Sequence, residues 1–126
     1  MKPIHTKYSK NNPGHYVPAM EHNGTLYISG QLSIDNETGK IPSGGIKVET
    51  EQALKNLDVV LEAAGITREN IIMCRVYTPD VKYWDEINVI YSEYFKDHKP
   101  ARAIVPTTPL HHDCLIEIEA VAELGQ

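Results

Sequence analysis

The side chains with the most distinctive chemistry in this 126-residue chain are charged groups inside apolar segments near its carboxyl end. Arg102 lies in Pro-Ala-Arg-Ala-Ile-Val at 100–105, and Glu117 and Glu119 lie in Leu-Ile-Glu-Ile-Glu-Ala-Val-Ala at 115–122. Both segments have the composition of buried strands. Because burial of an isolated charge is costly, a charge in such a strand is normally paired, hydrogen-bonded or used to hold a ligand.

Two interpretations of these charges stay open from spacing alone. In the first, Arg102 forms a structural ion pair with Glu117 or Glu119. In the second, the guanidinium of Arg102 binds a planar carboxylate through two parallel hydrogen bonds, and a nearby carboxyl group exchanges protons with the bound molecule. The second interpretation predicts a site for a small carboxylic acid.

Turn and strand patterns predict a hairpin and a loop in the first part of the chain. Asn23-Gly24 favours a type I′ turn between strands at 18–22 and 25–29. The residues before this hairpin are expected to form a short edge strand and then a loop that contains Tyr16. Gly30 follows Ser29 within the strand pattern, which indicates either a simple bend or a close approach of another group to the backbone.

Two helices separated by a central strand are predicted in the middle of the chain. Apolar residues recur every three or four positions from 50 to 64, before Gly65, and from about 83 to 95. Residues 71–77 are almost continuously apolar, as is typical of a central strand. This order predicts one α+β domain over residues 1–126, with a mixed sheet and both helices on one face. The other face would be uncovered, so we expect oligomerisation.

Composition argues against several classes of protein and site. The formal net charge is −5 and no basic cluster stands out, which argues against a nucleic-acid partner. No apolar run is long enough for a membrane span, and Cys74 and Cys114 lack a disulfide or Cys-x-x-Cys framework, so we expect a cytoplasmic protein. Cys74 is expected in the core and Cys114 in a loop. The run His111-His112-Asp113-Cys114 has metal-ligand residue types, but adjacent residues rarely converge on one ion, so no metal is expected.

Five short motifs carry a family resemblance that covers nearly the whole chain. They are Ser29-Gly30-Gln31, Glu62-Ala63-Ala64-Gly65, Asn88-x-x-Tyr91-x-x-Tyr94-Phe95, Pro100-Ala101-Arg102 and Ile116-Glu117-Ile118-Glu119-Ala120. With these motifs the chain resembles the RidA/YjgF enamine/imine deaminases, also called L-PSP endoribonucleases. The resemblance implies a chorismate-mutase-like α+β fold and a homotrimer with sites between subunits. It also implies hydrolysis of 2-enamino or 2-imino acids, such as 2-aminoacrylate, to 2-oxo acids and ammonia without a cofactor.

The same resemblance implies which residues form the site. It assigns carboxylate binding to Arg102 and handling of the attacking water to Glu117, and it assigns substrate contacts to Tyr16, Ser29, Gly30, Asn88 and position 104. Ile104 stands where well-studied members carry a cysteine, so only its backbone would take part. Burial is expected to raise the pKa of Glu117, which would suit this carboxyl group to proton transfer.

Two other functions stay open at this point. A trimeric protein could bind a small carboxylate in the same pocket and act as a regulator without turnover, which the absence of cysteine at position 104 favours. The older family label suggests a ribonuclease or translation inhibitor, which the acidic net charge argues against.

Overall fold

The structure, a computed structural model, describes residues 1–125, which form six strands, two α-helices and four short 3₁₀ helices in the connections. The strands and α-helices position the candidate site. In chain order these elements are β1 Lys2–Ile4, β2 Ala19–His22, β3 Thr25–Leu32, helix α1 Ile46–Ala63, β4 Ile71–Thr78, helix α2 Trp84–Phe95, β5 Ala101–Pro106 and β6 Glu117–Glu123. The predicted order of strands, helix, strand, helix and strands is confirmed.

The six strands form one mixed sheet in the order β1-β2-β3-β6-β4-β5. β4 and β5 are parallel, and the other neighbouring strands are antiparallel. A parallel pair needs a long crossover connection, which α2 provides. The last strand, β6, therefore lies between β3 and β4, where Glu117 is opposite both Leu32 and Tyr77.

Both helices cover the same face of the sheet, as predicted. Ile116 and the alternate β6 residues Ile118, Ala120 and Ala122 are buried on that face. Glu117 and the alternate residues after it point to the opposite face, because side chains alternate along a strand. Within residues 1–125, neither helix has both the length and the hydropathy that crossing a membrane requires.

Helix α1 begins at Ile46, earlier than the apolar spacing indicates. Gly44 and Gly45 have φ values of 129° and 88°, so the turn that they form ends directly before the helix. The first helical turn carries Glu49, a charged residue that masks the apolar pattern although it is buried. Its Oε1 atom accepts hydrogen bonds from Ser33 Oγ at 2.7 Å and from the Leu115 backbone N–H at 2.8 Å. Glu49 therefore ties α1 to the residue just after β3 and to the segment just before β6.

The expectation of a buried strand around Arg102 is wrong for the single chain. β5 lies at the edge of the sheet and pairs only with β4. None of its residues is buried, and Val105 is 37% exposed. Arg102 therefore lies on an apolar edge strand and not on an interior strand of the described chain.

A continuous apolar row crosses the face of the sheet that the helices leave open. Strand pairing aligns one residue from each strand, and all six are half-buried or exposed: Pro3, Met20, Tyr27, Val121, Met73 and Ala101. Tyr27 alone is 51% exposed. An apolar row that spans a whole sheet face is typical of a surface that another chain covers.

Candidate active site

The first group of candidate site residues surrounds Arg102 at the free edge of the sheet, and we call it the arginine group. Arg102 pairs with Cys74 in the strand register, which places its side chain on the helix-covered face. Its Nη1 donates a hydrogen bond of 2.8 Å to Asn88 Oδ1 on α2. The guanidinium carbon lies 4.8 Å from the ring centroid of Tyr91 and 5.3 Å from that of Trp84. These contacts hold the cation in one orientation by cation–π attraction and a hydrogen bond.

Arg102 does not form the structural ion pair that the sequence left open. Within residues 1–125 the ion pairs are Arg68 with Asp58 and Arg75 with Glu119. A guanidinium has five N–H donors, and the contact with Asn88 uses one of them. Arg102 is thus an oriented, half-buried cation that has no carboxylate partner in the described chain.

The second group of candidate residues lines a cavity of about 850 Å³ between the amino-terminal loop and the sheet, and we call it the glutamate group. It consists of Tyr16, Ser29, Gly30 and Glu117. The Ser29 hydroxyl donates a 2.7 Å hydrogen bond to the Val17 carbonyl, and its backbone N–H donates to the Pro18 carbonyl at 3.0 Å. Ser29 therefore fixes the loop that presents Tyr16, which is 56% exposed.

Gly30 lies directly against the carboxyl group of Glu117. A Cβ atom at position 30 would lie 2.4 Å from Glu117 Oε2 and 2.9 Å from its carboxyl carbon. The pairing of β3 with β6 shifts register between Ile28 and Gln31, which is the bulge that a glycine in this strand pattern indicates. Glycine at this position is therefore explained by the space that the carboxyl group occupies.

The surroundings of Glu117 favour its neutral form. Burial raises the pKa of this carboxyl group, the negative charge of Glu119 raises it further, and the charge of His111 lowers it. Glu119 itself accepts a hydrogen bond from the Tyr77 hydroxyl and lies 3.7 Å from Arg75. The hydrogen bond to Glu119 is also the main cause of a raised pKa at Tyr77. The upward direction for Glu117 is the one expected from its apolar neighbours in the sequence.

The two groups of residues lie apart within one chain. In the strand register Arg102 aligns with Cys74 and Ala120, whereas Glu117 aligns with Tyr77. Arg102 and Glu117 are thus separated by three residues along the strand direction and by two strand spacings across the sheet, each about 10 Å. Their side chains also point to opposite faces of the sheet. Ile104 belongs to the arginine side, where its side chain packs against the core. A single chain therefore brings the predicted residues together as two separate groups.

Neither thiol is placed to act as an exposed nucleophile, because both cysteines are buried. Cys74 is buried beneath α2, where burial raises its pKa to about 11. Cys114 lies in a loop, as predicted, but its side chain is fully buried. Among residues 1–125, no three His, Cys, Asp or Glu side chains cluster in a way that could hold a metal ion.

Two features of the site were not predicted from the sequence. Trp84 and Tyr91 were not among the predicted site residues, although both rings contact the Arg102 guanidinium. The helical spacing does indicate that both rings lie near Asn88, because both positions are within about one helical turn of it. His111 was considered only as a metal ligand, although it lines the cavity with Glu117.

The sequence and the fold of this chain are both similar to those of known proteins. The family model for endoribonuclease L-PSP matches residues 9–124. A RutC family protein from Aquifex aeolicus is 44% identical over 124 residues, covering 97% of this chain and 98% of that protein. A human protein named 2-iminobutanoate/2-iminopropanoate deaminase is 41% identical over 112 residues, covering 89% and 82%. A structure of a conserved Rid family protein from Yersinia pestis matches with a TM-score of 0.91 and 36% identity, covering 97% and 98%.

Proposed function

Because this chain belongs to the endoribonuclease L-PSP family, we propose that it hydrolyses 2-imino or 2-enamino acids to 2-oxo acids and ammonia. The name of the human relative describes this activity for 2-iminobutanoate and 2-iminopropanoate. Both compounds are small acids with a carboxylate next to a C=N carbon, and they match the chemistry of the two groups of residues. No cofactor is required for this hydrolysis in the mechanism that we propose.

The observation that carries the proposal is the state of Arg102. Asn88 and two aromatic rings hold its guanidinium, yet no carboxylate of the described chain pairs with it. A cation that is oriented but unpaired suits a ligand carboxylate, which a guanidinium binds through two parallel hydrogen bonds. This interaction would set the position of the adjacent C=N carbon.

The complete site would require two copies of the chain. Arg102 lies at a free sheet edge, and Glu117 lies on the open face of the sheet. A homotrimer in which the edge of one subunit meets the open face of the next would bring Arg102 of one chain to Glu117 of another. The same contact would cover the apolar row from Pro3 to Ala101. The proposed active sites therefore lie between subunits.

In the proposed reaction Glu117 carries protons at the C=N carbon. Its carboxylate accepts a proton from a water molecule as the water oxygen bonds to that carbon, and the C=N electron pair moves to nitrogen, which takes a proton from the solvent. The resulting carbinolamine collapses when Glu117 passes its proton to the nitrogen: the C–N bond breaks, ammonia leaves, and the hydroxyl proton returns to the solvent as the C=O bond forms. A carboxyl group whose pKa is raised above its ordinary value is suited to both transfers. Gly30 would contribute backbone contacts, and Tyr16 would close the cavity over the substrate.

The direct test uses 2-imino acids made in place from several amino acids by an amino-acid oxidase. The imine is trapped with semicarbazide, and its loss is followed with and without the purified protein. We expect faster loss with wild-type protein and not with Glu117→Gln. Binding of a 2-oxo acid without any change in the rate would favour the regulatory protein instead. Cleavage of RNA that rises with protein concentration would favour the nuclease.

A further inference from the structure

The imidazole of His111 lies in the cavity of the glutamate group, but the reaction described above does not use it. Both His111 and Glu117 line that cavity, together with Tyr16. The charge of His111 lowers the pKa of the Glu117 carboxyl group, against the upward effects of burial and of Glu119. The site therefore contains a second titratable group of a different chemical type.

The loop that carries His111 has an unusual backbone. His112 and Asp113 have φ values of 60° and 61°, in the left-handed region that residues with a Cβ atom rarely adopt. The loop is fixed at its end, because Cys114 is buried and the Leu115 N–H donates to Glu49. The rings of His111 and His112 pack together with centroids 3.8 Å apart. Backbone strain of this kind is concentrated at functional sites.

The His111 ring is available to a bound molecule. Its side chain is solvent-exposed at the cavity, and no other residue of the described chain forms a hydrogen bond or an ion pair with it. The titratable groups that face the cavity or flank His111 are Tyr8, Tyr16, Asp35, His112, Asp113 and Glu117, with Glu119 behind Glu117. Glu117 and His111 are thus two titratable groups of unlike chemical type that line the same cavity.

We propose that His111 is a second catalytic proton carrier, which protonates the substrate nitrogen while Glu117 deprotonates the attacking water. This inference rests on the proposed imine hydrolysis. In the first step the water oxygen bonds to carbon, its proton moves to the Glu117 carboxylate, and the imidazolium of His111 protonates the nitrogen. In the second step the Glu117 carboxyl group protonates the nitrogen again, and the C–N bond breaks so that its electron pair leaves with ammonia. The hydroxyl proton returns to His111 as the C=O bond forms, so both groups recover their starting states.

This division of roles predicts a bell-shaped dependence of kcat/KM on pH. Glu117 must begin deprotonated, so the rate falls at acidic pH. His111 must begin protonated, so the rate falls as pH rises through the range in which histidines titrate. A change caused by titration of the substrate itself would remain in every variant. The fall of kcat/KM at higher pH is therefore the part of the profile that we attribute to His111.

The test compares His111→Gln with His112→Asn, using the imine assay between pH 5 and 9. Asparagine is chosen at position 112 because it tolerates a left-handed backbone. We expect His111→Gln to lower kcat/KM by about 100-fold or more and to lose the limb at higher pH. His112→Asn should keep that limb, and melting curves should show that both variants are folded.

Three results would overturn this inference. An active wild-type protein whose pH profile is unchanged in His111→Gln removes the role of His111 and leaves the proposed function intact. Equal loss of the limb in His112→Asn would assign the effect to the loop and not to the His111 ring. A wild-type protein that does not accelerate imine loss at any pH would remove the proposed function together with this inference.

Discussion

Arg102 and Glu117 point to opposite faces of the same sheet. They are the two candidate catalytic residues. Arg102 shares its register with the buried Cys74, and Glu117 shares its register with Tyr77 on the open face. Neither can reach the other within one chain. If they act on the same substrate, they must come from different copies of the chain, and this requirement links the function to the assembly.

Replacement of Arg102 distinguishes a ligand-binding role from a structural role. Arg102→Ala removes a hydrogen bond to Asn88 and cation–π contacts of a half-buried side chain, which should cost about 1 to 3 kcal/mol of the free energy of unfolding. A buried ion pair would cost about 3 to 5 kcal/mol. We expect a folded variant with no measurable imine hydrolysis, and little rescue in Arg102→Lys, because an ammonium lacks the two-pronged geometry. Thermal unfolding and rate are measured on the same preparations, and a large loss of stability with an unchanged rate would contradict this role.

Much of the fold could be predicted because local patterns and tertiary structure agree. The Asn23-Gly24 hairpin, the end of α1 at Gly65 and the alternation from Ile116 to Ala122 all depend on nearby residues. The relation to Rid proteins, predicted from five motifs, is also confirmed by the relatives and structures that match. The start of α1 was missed because buried Glu49 looks like a surface residue until its partners Ser33 and Leu115 are known.

Gly30 is predicted to be needed for the position of Glu117. The added Cβ atom of Gly30→Ala would lie 2.4 Å from Glu117 Oε2, so the carboxyl group must move. We expect kcat to fall by at least about 10-fold, since small misplacement of a catalytic group is costly. Gly125→Ala is the matched control, because its Cβ would lie 3.6 Å from Asn70 Nδ2 in ordinary contact. Equal rates in the two variants would show that the contact with Gly30 does not position Glu117.

The raised pKa of Glu117 predicts an effect on stability that depends on pH. The ordinary value is 4.5, and burial followed by the charge of Glu119 raises it. The folded protein therefore keeps this proton at pH values where the unfolded chain has lost it, so the free energy of unfolding falls as pH rises through that window. Glutamine does not ionise, so Glu117→Gln should have a higher Tm than wild type at pH 7. The difference should disappear below about pH 4.

The control for this comparison is Glu62→Gln, which changes an exposed residue of α1. We expect it to change Tm little at either pH, because substitutions at exposed positions are usually close to neutral. A lower Tm of Glu117→Gln at pH 7 would mean that the carboxylate is stabilised in the folded protein and that its pKa is not raised.

The two cysteines are predicted to be dispensable for activity. Both side chains are fully buried, and position 104 carries isoleucine in place of the family thiol. Each change to alanine should lower the free energy of unfolding by about 1 to 3 kcal/mol, with activity within a few-fold of wild type. Denaturant unfolding and the imine assay check both statements. A folded double variant without turnover would point to a mechanism that uses a thiol.

The sequence indicated candidate site residues but not their arrangement in the fold. Residues such as Ser29, Gly30 and Glu117 meet because β3 and β6 are neighbours, which strand order and not spacing decides. The composition of β5 also could not reveal that the strand lies at the sheet edge, because an apolar edge strand has the same composition as an interior strand. The aromatic contacts of Arg102 depend on how α2 packs over β5, which no local pattern specifies.

The most direct test of the shared site mixes two inactive variants, Arg102→Ala and Glu117→Gln. The two proteins are unfolded together in equal amounts, refolded and assayed for imine hydrolysis, and light scattering measures the mass of the assembly against the 14.1 kDa chain. In a cyclic trimer with sites between subunits, each mixed trimer has one site with both native residues, so activity should return to about a quarter of the wild-type value. Each variant refolded alone should stay inactive. If the mixture forms trimers but is no more active than its parents, Arg102 and Glu117 do not meet across the subunit interface.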